Sequence, residues 1–416
     1  MRFIADFHIH SKFSRATSRE MEVETLSLWA KKKGIGLLGT GDFTHPTYYA
    51  ELRSKLEPSE KGLFRLKNKD QGVRYILTAE VSNIYRQGEK VRRIHTLIFA
   101  PSFEVVERIN SKLSYFGKLS SDGRPIFGFN VKDLAKMILD TSEDCLIIPA
   151  HAWTPWFSIF GANSGFDSIE ECFGDLSRYI YAIETGLSSD PEMNWRLSAL
   201  DGITLISNSD AHSPNRLGRE ANAFDCELDY HEVAKAIRNK DRKRILFTIE
   251  FFPEEGKYHY DGHRQCGVIS SPSQTKANQF LCPKCHKRLT IGVMYRVEEL
   301  SDRPEGFSPK NAIPSIHLIP LEEIIADAMG VRVGTKSVEN EYERLIEGGG
   351  SEFQILLDAT PEELASFVPP KILEGIVRMR QGKVSIIPGH DGEYGKITLF
   401  PEKKDEGEPK EQLKLF

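Results

Sequence analysis

Up to about residue 250 the chain alternates short apolar runs with amphipathic stretches. The runs are RFIADFHI (2–9), IGLLGTGD (35–42), RYILTAEV (74–81), RIHTLIFA (93–100), CLIIPAH (145–151), YIYAIETG (179–186) and GITLISNSD (202–210). Their length and their β-branched and aromatic content predict strands. SREMEVETLSLWAKKKG, FEVVERINSKLSYFG and YHEVAKAIRNK carry apolar residues at helical spacing and predict helices. Strand then helix, repeated, predicts an α/β architecture of parallel strands wrapped by helices, and seven strands is a barrel-like number.

From about residue 319 the pattern turns helical, through PLEEIIADAMG, SVENEYERLIEGGG, EFQILLDA, TPEELASFV and PPKILEGIVRMRQGKV. Thr360 before Pro361, with Glu363 three residues on, reads as a capping-box start. After residue 400, PEKKDEGEPKE is charged and has no apolar anchor, so a disordered linker is expected there. The expected divisions are therefore 1–250, 251–300, 301–400 and a 401–416 tail.

With 416 residues there is length for two or three domains. No apolar run approaches the ~18 residues of a membrane span, and MRFIADFH lacks a signal-peptide layout, so no membrane association and a cytoplasmic location are expected. A net charge of -5 argues against a globally basic nucleic-acid binder. The basic clusters KKK (31–33) and RNKDRKR (238–244) read as solvated faces. Six cysteines in so long a chain do not make a disulfide scaffold, and Cys145, Cys172 and Cys226 read as buried thiols.

The polar residues at the run ends change the picture. His8 and His10 close the first run and point to one face of a strand. Asp42 with His45, Glu80, His151, Glu184, and Asp210 with His212 end others, and His95 sits early in its own. All six histidines of the first 212 residues belong to this set. In a parallel barrel the strand carboxyl ends share one face, so a cluster of divalent metals is expected there. The mixed nitrogen and oxygen donors suit Zn, Mn or Fe better than Mg. Glu184 reads as a residue that orients a histidine or as a solvated strand end. No GxSxG, P-loop or dinucleotide fingerprint competes.

A second metal is expected near residue 270. His263-x-x-Cys266 and Cys282-x-x-Cys285, fifteen residues apart, have the spacing of a structural zinc site, with His259 and His286 as rival fourth ligands. Arg264 belongs to a basic group around it that could follow a DNA backbone.

ADFHIHSKFS, GTGDFTH, TAEVS, RRIHTLIFA, IPAHAWTPWFS and SNSDAHS together resemble the polymerase-and-histidinol-phosphatase (PHP) family of metal-dependent phosphoesterases. The resemblance implies a distorted (β/α)7 barrel, followed here by the zinc module and a C-terminal helical domain. It implies that His8, His10, Glu80 and Asp210 hold one metal, that Glu80 bridges to a second on His95 and His151, and that His212 with His45 holds a third. Asp42 is assigned to that third site in place of an acidic residue that many members carry after the HxH. Asp210, Glu80 and His151 would be the catalytic core.

The whole-chain arrangement further resembles members of the family that nick DNA. This implies cutting on the 5′ side of uracil, hypoxanthine or xanthine, or of an abasic site, in single- or double-stranded DNA, with the base flipped from the stack. Trp153, Trp156 and Phe157 would either wedge or stack against the base or pack the barrel rim, with Arg264 on the backbone. Gln412, Leu413, Leu415 and Phe416 resemble the peptide by which bacterial repair proteins dock on the sliding clamp. A histidinol-phosphate-like phosphatase and a non-catalytic damage-binding adaptor are the alternatives. The phosphatase leaves everything after residue 250 unexplained.

Overall fold

The computed structural model describes residues 1–67 and 72–401. All seven runs form strands, over Arg2–Asp6, Ile35–Gly39, Arg74–Gln87, Lys90–Ala100, Leu146–Pro149, Ala182–Glu184 and Thr204–Ile206. The three amphipathic stretches form helices over Val23–Lys33, Phe103–Ser114 and Tyr230–Arg238. Their ends follow from local chemistry. Ser102 and Asp229 accept hydrogen bonds from first-turn amides, and Gly34, at φ 89°, closes the first helix in a conformation that costs glycine least.

The sheet is mixed, which corrects the expectation of parallel strands throughout. Arg2–Asp6 and Ile35–Gly39 are parallel, as are Ile35–Gly39 and Arg74–Gln87. Lys90–Ala100, however, runs antiparallel to both Arg74–Gln87 and Leu146–Pro149. The reason lies in the connection. A parallel crossover needs a dozen or more residues, and the segment between these two runs extends the strands themselves up to a turn at Gly88. The hairpin register sets Ser82 opposite His95 and Glu80 opposite Leu97, so Glu80 and His95 are diagonal neighbours on one face.

The sheet also takes in strands outside the seven runs, Leu56–Pro58, Phe64–Leu66 and Ile126–Phe127 among them. Ala221–Asp225 pairs antiparallel with Arg2–Asp6 and with Ile245–Glu250, and Ser315–His317 adds in parallel beyond Ile245–Glu250. Ala182–Glu184 and Thr204–Ile206 form their own parallel pair, so the hydrogen-bonded path does not close among the described residues. Ala5, Phe7, Leu37, Ile76, Phe99, Ile148, Ala182, Ile206 and Phe224 nevertheless share one buried cluster on the inner face.

Past residue 250, Asp261–His263 and Val268–Ser270 make a small hairpin. Two helices follow over Pro272–Ala277 and Val293–Leu300, and four more over Leu321–Met329, Lys336–Gly349, Pro361–Leu364 and Pro370–Arg380, with a π-helical turn over Gln354–Asp358. The Thr360 capping box is formed. Lys33 departs from the reading of KKK as a solvated face. It is buried and pairs at 2.6 Å with buried Glu352, which also accepts from Tyr342 Oη and from the Leu321 N–H that opens its helix. This pair anchors the helical end on the sheet domain. No helix among the described residues is long and apolar enough to cross a membrane.

Candidate metal centres

His8 and His10 leave the first strand side by side, and each imidazole is held from behind. His8 Nδ1 lies 3.0 Å from both oxygens of Glu184, and His10 Nδ1 lies 3.0 Å from Asp42 Oδ1. Both therefore turn Nε2 toward one point, where Asp210 Oδ1 stands 3.5 and 3.1 Å away and Glu80 Oε2 3.6 and 3.3 Å away. His8 Nε2, His10 Nε2 and Asp210 Oδ1 are shielded from solvent and have no hydrogen-bond partner. Buried polar atoms normally find one, so this convergence fits a cation.

Glu80 reaches both ways. Its Oε1 lies 2.7 Å from His95 Nδ1 and 3.1 Å from His151 Nε2, while Oε2 faces the first group and accepts from Arg124 at 2.9 Å. His8, His10 and Asp210 form one potential ligand set, and Glu80, His95 and His151 a second.

Charge explains the titration. Burial would depress His8 and His10, but Glu184, Asp42, Asp210 and Glu80 outweigh it and raise both well above the ordinary imidazole value. Burial would raise Glu80, but His95, Arg124 and His8 bring it well below the carboxylate range. Burial wins at His95, which falls to about 4 and is neutral at physiological pH, the form that binds metals. Three residues here adopt left-handed backbone, His151 at φ 31°, Asp42 at φ 42° and Asp210 at φ 48°. Such strain concentrates at functional sites.

Among the described residues, Asp42, His45 and His212 do not come together as a ligand set. Asp42 is engaged elsewhere: Oδ1 holds His10, and Oδ2 accepts from the Ser11 N–H and hydroxyl and from Ser14 Oγ. His45 caps its helix through the Tyr48 N–H and stacks on Phe13, 4.3 Å between centroids. His212 gives Nδ1–H to the Asp210 carbonyl at 2.8 Å and packs on His10. Sequence reasoning missed Arg124, which sits in the loop SSDGRP, a surface turn by every local signal.

In the small module His263, Cys266, Cys282 and Cys285 bring their ligand atoms within 4.8 Å of one another, four candidate ligands that do not include His259 or His286. Burial raises the Cys282 thiol, but amides of Lys284 and Cys285 outweigh it and bring it down to about 6, favouring the thiolate that zinc binds.

The helical end, residues 320–383, matches the model of the MJ0043 C-terminal domain. An uncharacterized protein MJ0043 of Methanocaldococcus jannaschii is 36% identical over 261 residues, 61% of this chain, and the match spans 32% of that protein's length. The uncharacterized protein YqxK of Bacillus subtilis is 33% identical over 413 residues, covering 95% of this chain and 99% of YqxK. Among solved structures, the lesion-specific endonuclease PfuEndoQ of Pyrococcus furiosus superposes with a TM-score of 0.85 at 34% identity, covering 96% of this chain and 95% of that one. Endonuclease Q in complex with a 27-mer duplex carrying an abasic lesion superposes at 0.84 and 34% identity, over 98% of each chain. This chain belongs to the endonuclease Q family. With that family it is a hydrolytic DNA nuclease.

The four residues expected at the DNA interface differ in exposure and surroundings. Trp156 is exposed and packs edge-on against Tyr258 at 5.7 Å. Phe157 lies against His95, 4.7 Å between centroids, at φ 62°. Arg264 is exposed. Trp153 is a correction. It is 1% exposed with Nε1 bonded to Asn194 Oδ1 at 2.8 Å, so it packs the core and cannot stack on a base.

Proposed function

We propose that this chain nicks DNA by metal-dependent hydrolysis, on the 5′ side of uracil, hypoxanthine or xanthine or of an abasic site. The observation that supports this best is the set of buried donors without partners, His8 Nε2, His10 Nε2 and Asp210 Oδ1, gathered around Glu80. His8, His10, Asp210 and Glu80 would hold one divalent ion, and Glu80, His95 and His151 a second. When bound, such ions neutralise phosphate charge and lower the pKa of a bound water towards ~7.

The chain's own groups do the rest. Arg124, partly exposed beside Glu80, offers a guanidinium to the non-bridging oxygens of the scissile phosphate. His212 spends its ring N–H on the Asp210 carbonyl, so its neutral form carries a free lone pair on Nε2, able to take a proton at the mouth. Glu184 and Asp42 keep two imidazoles aimed. Trp156 and Phe157 offer ring faces to an extruded base.

The test is a labelled duplex with one uracil, hypoxanthine or abasic site, incubated with protein and manganese, zinc or magnesium, and the product mapped to the nucleotide. Cleavage 5′ to the lesion, lost in Asp210→Ala while DNA binding survives, supports the reading. Equal cutting of undamaged duplex, or none with any metal, overturns it. Gln412, Leu413, Leu415 and Phe416 lie outside the described residues. Docking on a sliding clamp through them is proposed from their sequence, and removal of residues 412–416 should weaken clamp binding while sparing activity on oligonucleotides.

A further inference from the structure

We propose a separate divalent-cation site formed by Asp190, Glu192 and His317, opening onto a cavity of about 500 Å3. It shares no residue with the barrel-mouth groups, and it does not depend on the nuclease reading.

The fold brings the three donors together from distant segments. Asp190 and Glu192 flank the start of the short helix Pro191–Asn194, which follows the Ala182–Glu184 strand. His317 ends the strand that joins the sheet beside Ile245–Glu250. Each carboxylate has one oxygen anchored. Asp190 Oδ1 accepts from the Met193 N–H at 2.9 Å, and Glu192 Oε1 accepts from Ser315 Oγ at 2.8 Å. The second Asp190 oxygen turns toward the histidine. Asp190 Oδ2 lies 3.2 Å from His317 Nε2, a hydrogen-bonding distance that two ligands of one ion can also span. Glu192 Oε2 is shielded from solvent and accepts no hydrogen bond. One ligand atom from each residue lies within 4.8 Å of the other two, as holds for the sets around His10 and Glu80. The Phe252 ring, 5.1 Å away, braces the imidazole.

Charge points the same way. Glu254 and Glu305 also line the cavity, and Arg196, its basic lining residue, is engaged by Glu298. Two carboxylates held together off water without a cation are costly. The imidazole with two carboxylates selects zinc, manganese or iron over magnesium or calcium. Three protein donors leave coordination positions facing the cavity, so the ion would be open to whatever enters it.

The experiment is anomalous diffraction from the full-length protein crystallised with manganese and recorded near the manganese edge. The expected result is a peak among Asp190 Oδ2, Glu192 Oε2 and His317 Nε2, in addition to those at the barrel mouth. Crystals loaded at the barrel mouth with no peak at this trio overturn the proposal and leave the nuclease reading intact. In solution, chelator-stripped protein reloaded with manganese should hold one more ion per chain than Glu192→Gln. Equal manganese content in the folded variant also overturns it.

Discussion

Glu184 places both carboxylate oxygens 3.0 Å from His8 Nδ1, across 176 residues of chain. The same carboxylate accepts from the His151 N–H at 2.7 Å and from Asn208 Nδ2 at 2.9 Å. One side chain therefore orients His8 and fixes the backbone of His151, one residue from each metal group. Glu184→Ala should raise the manganese concentration for half-maximal nicking by about 10–100-fold. A metal titration of the nicking rate checks this, and an unchanged midpoint would show that His8 needs no support.

Asp42 separates an orienting residue from a ligand. Its oxygens are spent on His10, Ser11 and Ser14, so Asp42→Asn should weaken metal affinity by roughly 10-fold or more while the number of ions bound at saturation stays the same. Metal content at saturation is the readout. One ion fewer per chain would make Asp42 a ligand after all.

These two residues also mark where sequence reading stops. His8, His10, Glu80, His95, His151 and Asp210 were legible as a candidate cluster because they fall on or just after predicted strands and none on a predicted helix, whereas His45 and His212 share that cue without joining either set. The seven runs were legible because each is a short apolar block. Direction was harder: the mixed sheet depends on a turn at Gly88, and strands over Ala221–Asp225 and Ser315–His317 owe their state to the neighbours they pair with. Asp42 touches the candidate ligand His10 directly, and its role is set by which way its two oxygens turn, which no spacing reveals. Arg124 comes from a loop with no pattern, and Trp153 has the same composition cue as Trp156 but faces inward.

If His263, Cys266, Cys282 and Cys285 hold zinc, the module around them should stand or fall on that ligation. Its hydrophobic cluster is small, centred on Val268, Cys282 and Leu289, so a bound ion would supply much of its stability. Cys282→Ser should release zinc and expose residues 258–292 to protease while the sheet domain stays folded. Zinc content and limited proteolysis measure both, and retained zinc with unchanged proteolysis would exclude His263, Cys266, Cys282 and Cys285 as its site.

Lys33 and Glu352 are both buried and paired at 2.6 Å, across the contact between the first helix and the helical end. Lys33→Met leaves a carboxylate uncompensated away from water and should destabilise by about 3–5 kcal/mol. The double variant Lys33→Met, Glu352→Gln should recover part of that. Denaturant unfolding of the single and double variants gives the coupling, and additive losses would show that the pair does not act as a unit.

Glu255 lies on a turn between the sheet and the small module, where burial, then Glu323 and Glu254, push its carboxyl up to about 8 against the offsetting Arg219 and Arg216. The unfolded chain holds the same group near 4.5. The folded state therefore binds the proton more tightly, and its stabilising share, complete below about pH 4.5, is lost as pH rises through about 8. Glu255→Gln removes that dependence. Its stability gain over wild type should be small at pH 5 and grow to on the order of 1–2 kcal/mol by pH 8.5, discounted for partial solvent access. Denaturant unfolding across that range tests the sign. A gain that is the same at both ends would mean the carboxyl titrates as it does in water, and that the neighbouring glutamates do not reach it.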